Sequence, residues 1–216
     1  MSLFITFEGT EGSGKTTQVG MLAQALRGIG RQVVTTREPG GTELGEALRR
    51  LLLESDTSIG PEAEAYLMTG ARSEHVRNVI RPVLARGDIV LCDRFADSTF
   101  AYQGAGRRLP IYELQMMQTL AMGNTMPDLT ILVDVPAEVG LERRVKARDV
   151  NRIDRESFEF HARVAFWYRQ EARANPDRWA VVDGSQSPAN VHVAILERVI
   201  ERLDTDGDVR HRSGER

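Results

Sequence analysis

At 216 residues, 41% of them apolar, the chain is long enough for one domain with a sizeable core. A net charge of −3 argues against general nucleic-acid binding. No apolar run approaches the ~20 residues of a membrane span, and the single cysteine, Cys92, has no intramolecular disulfide partner, which suits a reducing, cytoplasmic setting.

Leu3 to Phe7 is an apolar run that reads as a buried strand, so the N-terminus leaves no room for a leader. Gln18 to Leu26 reads as a helix. Between them, Gly9-Thr10-Glu11-Gly12-Ser13-Gly14-Lys15-Thr16, followed by Thr17, fits the phosphate-loop pattern G-x-x-x-x-G-K-[ST] without a mismatch. Gly12 and Gly14 can adopt backbone angles that turn N–H groups toward phosphate oxygens, and the helix N-terminus adds partial positive charge. Lys15 would reach the β- and γ-phosphates, and the Thr16 hydroxyl would bind Mg²⁺. The loop therefore predicts a nucleoside triphosphate ligand, without saying for what reaction.

Further β-branched runs at 32–36, 88–92, 129–134 and 179–183 complete a set of five strands, separated by helical patterns. The alternation predicts an α/β fold, a five-stranded parallel sheet flanked by helices in three layers. Ligands should gather at the carboxyl ends of its strands. Arg37-Glu38-Pro39-Gly40-Gly41-Thr42 follows the second strand, so Arg37 could face a second ligand opposite the triphosphate. Arg49 lies in a helix expected to begin near Thr42. Residues 72–84 read as a helix with Val76, Val79, Ile80 and Val83 inward. Arg72 could face a ligand there, while His75 reads as an ordinary surface or half-buried histidine. The third strand ends in Asp93-Arg94, an acid suited to Mg²⁺ beside a phosphate loop and a cation suited to a bidentate phosphate contact. Ser98-Thr99-Phe100-Ala101-Tyr102-Gln103-Gly104 offers hydroxyls, rings and an amide that can enclose a nucleobase and sugar, with Phe100 in the core. Residues 142–155 are dense in Arg and Lys and suit a lid over a transferring phosphoryl group. Residues 1–203 are expected to form the domain, and 204–216 read as a frayed tail.

These motifs together resemble thymidylate kinase over roughly residues 3–200. The stretches that carry the resemblance are FITFEGTEGSGKTTQ, TREPGGT, GARSEH with IRPVL, LCDRFADSTFAYQG and NRIDRES. The resemblance implies a nucleoside monophosphate kinase fold with a lid, transfer of the ATP γ-phosphoryl to dTMP with Mg²⁺, and a homodimer. It implies that Glu11 lies near the sugar 3′-hydroxyl, that Arg37, Arg49 and Arg94 hold the dTMP phosphate, and that Arg72 bonds the thymine edge. Thr99 and Gln103, beside Ser98, would border the base, and Tyr102 would press where a ribose 2′-hydroxyl would sit. The family often places a phenylalanine four residues before the thymine-reading arginine, and here that position is Met68. Some members carry a catalytic arginine inside the phosphate loop. This chain has none there, so its catalytic cations are expected on the lid, Arg148 and Arg152 first, Arg143 and Arg144 behind them. The sequence does not place the dimer interface, although the helices around 72–84 and 112–122 are apolar enough to contribute.

Two other readings are weaker. A kinase of another nucleotide or of a deoxynucleoside would share the loop, and the neutral hydroxyl of a deoxynucleoside would need a base such as Glu38. A GTPase switch would need an N-K-x-D segment, and the sequence has none.

Overall fold

The structure, a computed structural model, describes residues 2–54, 57–148 and 150–213, with side chains described as far as Leu203. Asp149, inside the expected lid, and residues 214–216 of the expected tail lie outside the described residues.

The five strands are β1 (Leu3–Glu8), β2 (Val33–Arg37), β3 (Ile89–Asp93), β4 (Leu129–Asp134) and β5 (Trp179–Asp183). All neighbours pair in parallel, in the order β2-β3-β1-β4-β5, so the predicted sheet is the one found, with edges shifted by at most one residue. The chain crosses to opposite sides of β1, which leaves a crevice at the carboxyl end of β1 and β3. Register continues past the strands there: Phe7 pairs with Asp93, and Arg94 N donates to Phe7 O at 2.9 Å. Asp93 and Arg94 are thereby set beside the loop that leaves β1.

Alternation along β1 divides the core. Leu3, Ile5 and Phe7 are fully buried with Val19, Leu22 and Leu26 of α1 (Lys15–Gly28) and with Val191, Ile195 and Val199 of the last helix. Phe4 points to the other face and packs with Val76, Ile80, Val83 and Phe95. A buried parallel strand must be apolar on both faces, which is why these runs read as continuous rather than alternating. Thr6 and the terminal Glu8 are exceptions, and the Thr6 hydroxyl is satisfied by Thr130 Oγ1 at 2.9 Å.

The helical layer is less regular than its periodicity suggests. After α2 (Glu43–Arg49), capped by Thr42 on Gly45 N, a π-helical turn spans Arg50–Glu54. α3 (Pro61–His75) runs through a second π-helical stretch, Val76–Ile80, into α4 (Arg81–Ala85), so the helix expected at 72–84 begins a good three turns earlier. α5 (Ala96–Thr99) continues into a third, Phe100–Gly106, followed by α6 (Ile111–Met122). Such bulges re-aim side chains within a helix and concentrate at functional sites; the first and third supply residues that line the crevice, while Val76 and Ile80 of the second pack in the core. α7 (Ala137–Lys146) and α8 (Phe158–Ala174) bracket the lid segment. α9 is Pro188–Ser213, so its backbone runs as helix into the segment expected as a tail from 204.

Candidate functional site

A cleft of about 480 Å³ opens at the carboxyl end of the sheet. On its floor lies the loop between β1 and α1. A Cβ on Gly12, at φ 67°, would come within 2.0 Å of Gly140 O, and one on Gly140 would meet Glu11 O at 2.1 Å. Only glycine at both positions lets α7, the helix leading to the lid, rest directly on the loop. Gly14 caps α1 at φ 103° and leaves its first N–H groups facing the cleft. Gly9, Thr10 and Ser13 form the buried inner side of the loop.

Lys15 lies inside the loop, with Nζ donating to Gly9 O at 3.1 Å, Thr10 O at 2.8 Å and Ser13 Oγ at 3.2 Å. Burial, with Arg94 close by, pushes its pKa down to about 8. Thr16 Oγ1 donates to Asp93 Oδ2 at 2.5 Å, so the two expected Mg²⁺ ligands do meet. A hydroxyl and a carboxylate, hard oxygens with room for phosphate and water, are a donor set that fits Mg²⁺. The described residues hold no cluster of three or more His, Cys, Asp or Glu suited to a metal held wholly by protein.

Arg94 leaves β3 at φ 70° and turns under the loop. Its Nη1 donates to Gly9 O at 2.9 Å, its Nη2 is ion-paired with Glu11 Oε1 at 2.9 Å, and its guanidinium lies 4.8 Å from the Tyr102 ring centre. Tyr102 also donates to Glu11 Oε1 at 3.0 Å. Burial disfavours the Glu11 charge, but Arg94, Lys15 and the Tyr102 hydroxyl outweigh it and hold its pKa near 2. Beneath them Glu8, at the tail of β1, accepts from Phe95 N, Ser98 Oγ and Tyr168 OH at 2.7–2.8 Å. Burial and nearby Asp97 raise its pKa to about 7. Ser98 thus has a second task, as part of the support under Arg94.

Across the cleft stands the turn after β2, with a cis Glu38–Pro39 bond. Arg37 and Arg49 both line the cleft; Arg37 is paired with Glu46 at 3.0 Å, and Arg49 Nη1 donates to Pro39 O at 3.0 Å. Burial and the neighbouring Arg37 cation both make Arg49 less basic, as happens where cations crowd around a place for an anion.

The wall above is α3, with Met68 facing the cleft. Arg72 stands behind that wall, 1% exposed. Its Nε donates to Glu38 Oε2 at 2.7 Å, Nη1 to Thr99 Oγ1 at 2.8 Å and Gln118 Oε1 at 2.6 Å, and Nη2 to Phe95 O at 2.9 Å. Thr99 is drawn back with it, whereas Tyr102 and Gln103 reach the cleft. His75 corrects its expected surface place: it is fully buried between Glu38 Oε1, 2.9 Å away, and Thr36 Oγ1, 2.7 Å away. Both oxygens of Glu38 are therefore taken, which counts against Glu38 as a base for a neutral acceptor.

The lid closes the remaining side. Arg143 Nη1 donates to Gly184 O at 3.0 Å and Gly12 O at 3.4 Å. Arg144 forks onto Asp154 at 3.0–3.2 Å. Arg152 Nε donates to Leu52 O at 2.8 Å, and its Nη2 bonds Glu64. All three line the cleft, while Arg148 is exposed and outside it. Glu64 went unnoticed in the sequence; its spacing of four from Met68, one turn on the same helix face, was the available signal.

Comparison with known proteins agrees with this geometry. A profile of the thymidylate kinase family matches residues 7–195. The chain is 53% identical over 202 residues to a thymidylate kinase of Thermomicrobium roseum, covering 93% of this chain and 96% of that one. Against a thymidylate kinase of Geobacter sulfurreducens it is 45% identical over 210 residues, covering 94% and 99%. The crystal structure of thymidylate kinase from Ehrlichia chaffeensis superposes with a TM-score of 0.75 at 35% identity, over 92% of this chain and 98% of that one.

Proposed function

The chain belongs to the thymidylate kinase family and phosphorylates dTMP to dTDP with ATP; we propose that it does so by bringing two polyanions onto two converging sets of cations in one cleft. The observation that carries this reading is that one cavity is lined by Lys15 and Arg143 at the loop, by Arg37 and Arg49 at the turn across from it, and by Arg94 beneath the loop between them. One set serves the triphosphate and the other the acceptor phosphate. Because the acceptor is already an anion, no strong general base is needed, and catalysis is alignment plus charge neutralisation.

The backbone N–H groups of the loop take the β- and γ-phosphates of ATP, and Lys15 turns from the loop carbonyls to them. Mg²⁺ would be held by Thr16 Oγ1 and, directly or through water, by Asp93, and supplies neutralisation of the phosphate charge. Arg152, with Arg143 and Arg144, takes the charge that spreads over the transferring group, and Arg148 joins from the rim. Met68 packs on the thymine face, Gln103 bonds its edge, and Arg72 holds Thr99 and Phe95 in the wall behind. Tyr102 and Glu11 border the sugar.

Turnover with ATP and a panel of dTMP, dUMP, dCMP, AMP and thymidine tests the reading by ADP release. ADP should appear fastest with dTMP; faster release with thymidine would sink the phosphate-acceptor assignment.

We also infer a homodimer. Tyr112, Met116 and Leu120 of α6 leave 57–89% of their surface exposed along one helix face, more than a monomer gains from exposing. Light scattering at micromolar concentration should return twice the chain mass. Cys92, buried and unpaired, suits a cytoplasmic setting, and among the described residues no helix is long and apolar enough to cross a membrane.

A further inference from the structure

Glu64 is a carboxylate that the transfer itself does not use, yet it is buried in the wall of the cleft, 2% exposed. Three side chains from two segments converge on it. Gln103 Nε2 donates to Oε1 at 2.8 Å, Arg107 reaches both oxygens at 3.2 and 3.3 Å, and Arg152 bonds Oε2. Arg107 is braced in turn by Glu156 at 2.7 Å. Burial opposes the charge on Glu64, but the bonds from Arg107, Gln103 and Arg152 outweigh it and keep the carboxyl below its ordinary value.

An ionised carboxylate can only accept. Of the two orientations of the Gln103 amide, one turns NH₂ toward Glu64, and the other sets oxygen against oxygen. The first is the bonded one, so the amide oxygen faces away. That oxygen is buried, and it has no hydrogen-bond partner among the described residues. Gln103 lines the cleft and is itself 2% exposed. A buried acceptor without a donor is costly, and a ligand N–H in the cleft would satisfy it.

We propose that Glu64 is a specificity-positioning residue: by holding the Gln103 amide with its oxygen toward the cleft, it selects a pyrimidine whose N3 carries a hydrogen and rejects cytosine, whose N3 is an acceptor. The proposal rests on the reading that a pyrimidine monophosphate occupies the acceptor half of the cleft. The same carboxylate holds Arg152, so the residue that orients the base reader also seats the lid.

Glu64→Gln preserves size but can donate, which frees the Gln103 amide to face either way. The ratio of kcat/KM for dTMP over dCMP should fall about tenfold or more. An equal loss with both substrates, as a purely structural or lid role would give, overturns the proposal. In a Gln103→Leu background the same substitution should leave the ratio unchanged, and a further fall there overturns it too. Should Glu64→Gln lack a folded circular dichroism spectrum, hydrogen exchange of the wild-type Gln103 side-chain amide decides. Its protons should exchange about tenfold or more slowly than those of an exposed glutamine, and exchange at the free rate counts against it. The acceptor reading has its own control, since wild-type enzyme that turns over no pyrimidine monophosphate removes that reading first.

Discussion

The base-side wall and the lid are both built on arginine, in opposite conditions. Arg72 in the wall is 1% exposed and bonds Glu38, Thr99, Gln118 and the Phe95 carbonyl. The lid arginines sit at the rim: Arg152 and Arg144 each keep 19% of the side chain exposed, and Arg148 is exposed at φ 54°. A buried guanidinium with four hydrogen bonds is a fixture, since moving it would leave Glu38 without its cation out of water. The lid cations are partly exposed, although Asp154 and Glu64 beneath them are buried, so water can take over part of their bonding when they turn toward a developing negative charge. The wall presents a shape; the lid responds to charge.

That contrast can be broken by experiment. Arg72→Ala should act as a folding lesion, costing about 3–5 kcal/mol of stability in urea unfolding, the range expected when one partner of a buried pair is removed. Loss of activity with no loss of stability would move Arg72 from fixture to pure ligand contact. Lys15→Ala should lower kcat by about 10³-fold with an unchanged circular dichroism spectrum, because it removes preorganised charge at the transferring group. Near-normal turnover in that variant would remove the loop from the chemistry.

A third measurement concerns the support under Arg94. The folded pKa of Glu8, about 7, lies above its ordinary 4.5, so between those values the folded state keeps a proton that the unfolded state has shed. Stability should therefore be fullest below pH 4.5 as far as Glu8 is concerned and fall by roughly 3 kcal/mol as pH rises through 7. Glu8→Gln should flatten the melting temperature across that window; an unaltered slope assigns the titration elsewhere.

On the lid, Arg152→Ala should lower kcat about 10²-fold while the dTMP KM changes little, the pattern of a contact made in the transition state. A pure KM effect would make Arg152 a ground-state ligand like those of the wall. The smallest effect belongs to Met68→Phe. An aromatic face should tighten dTMP about threefold over the thioether by calorimetry, and weaker binding would mean that the base does not lie on Met68.

The phosphate loop, the five strands and the Asp93-Arg94 strand end were legible in the sequence because each depends on neighbours in the chain. Glycines at fixed spacing, a Lys-Thr pair and β-branched runs state their conformations locally. Thr16 and Asp93 were also paired correctly, since parallel register brings the ends of β1 and β3 together. The places of Glu64 and His75 and the partners of Glu8 were not legible, for a common reason. Each is a polar residue on an ordinary-looking helix or strand whose partners lie far away in sequence: Glu8 bonds Tyr168, and His75 bonds Thr36 and Glu38. The π-helical stretches were invisible as well, because one inserted residue does not disturb a short apolar pattern.

By itself, then, the sequence determined that a triphosphate loop opens a parallel α/β domain and that no arginine stands within that loop. Those are properties of adjacent residues and of local backbone preference. Only the tertiary structure decided which arginines face the cleft and which are built into its wall. Arg72 and Arg152 look alike in sequence and both meet a buried carboxylate, but Arg72 is itself wholly buried with Glu38, whereas Arg152 shares Glu64 with Gln103 and Arg107 and keeps part of its side chain at the rim, where it can answer a new charge. Charge pairing in low dielectric is settled by who lies next to whom in space, and chain order does not state that.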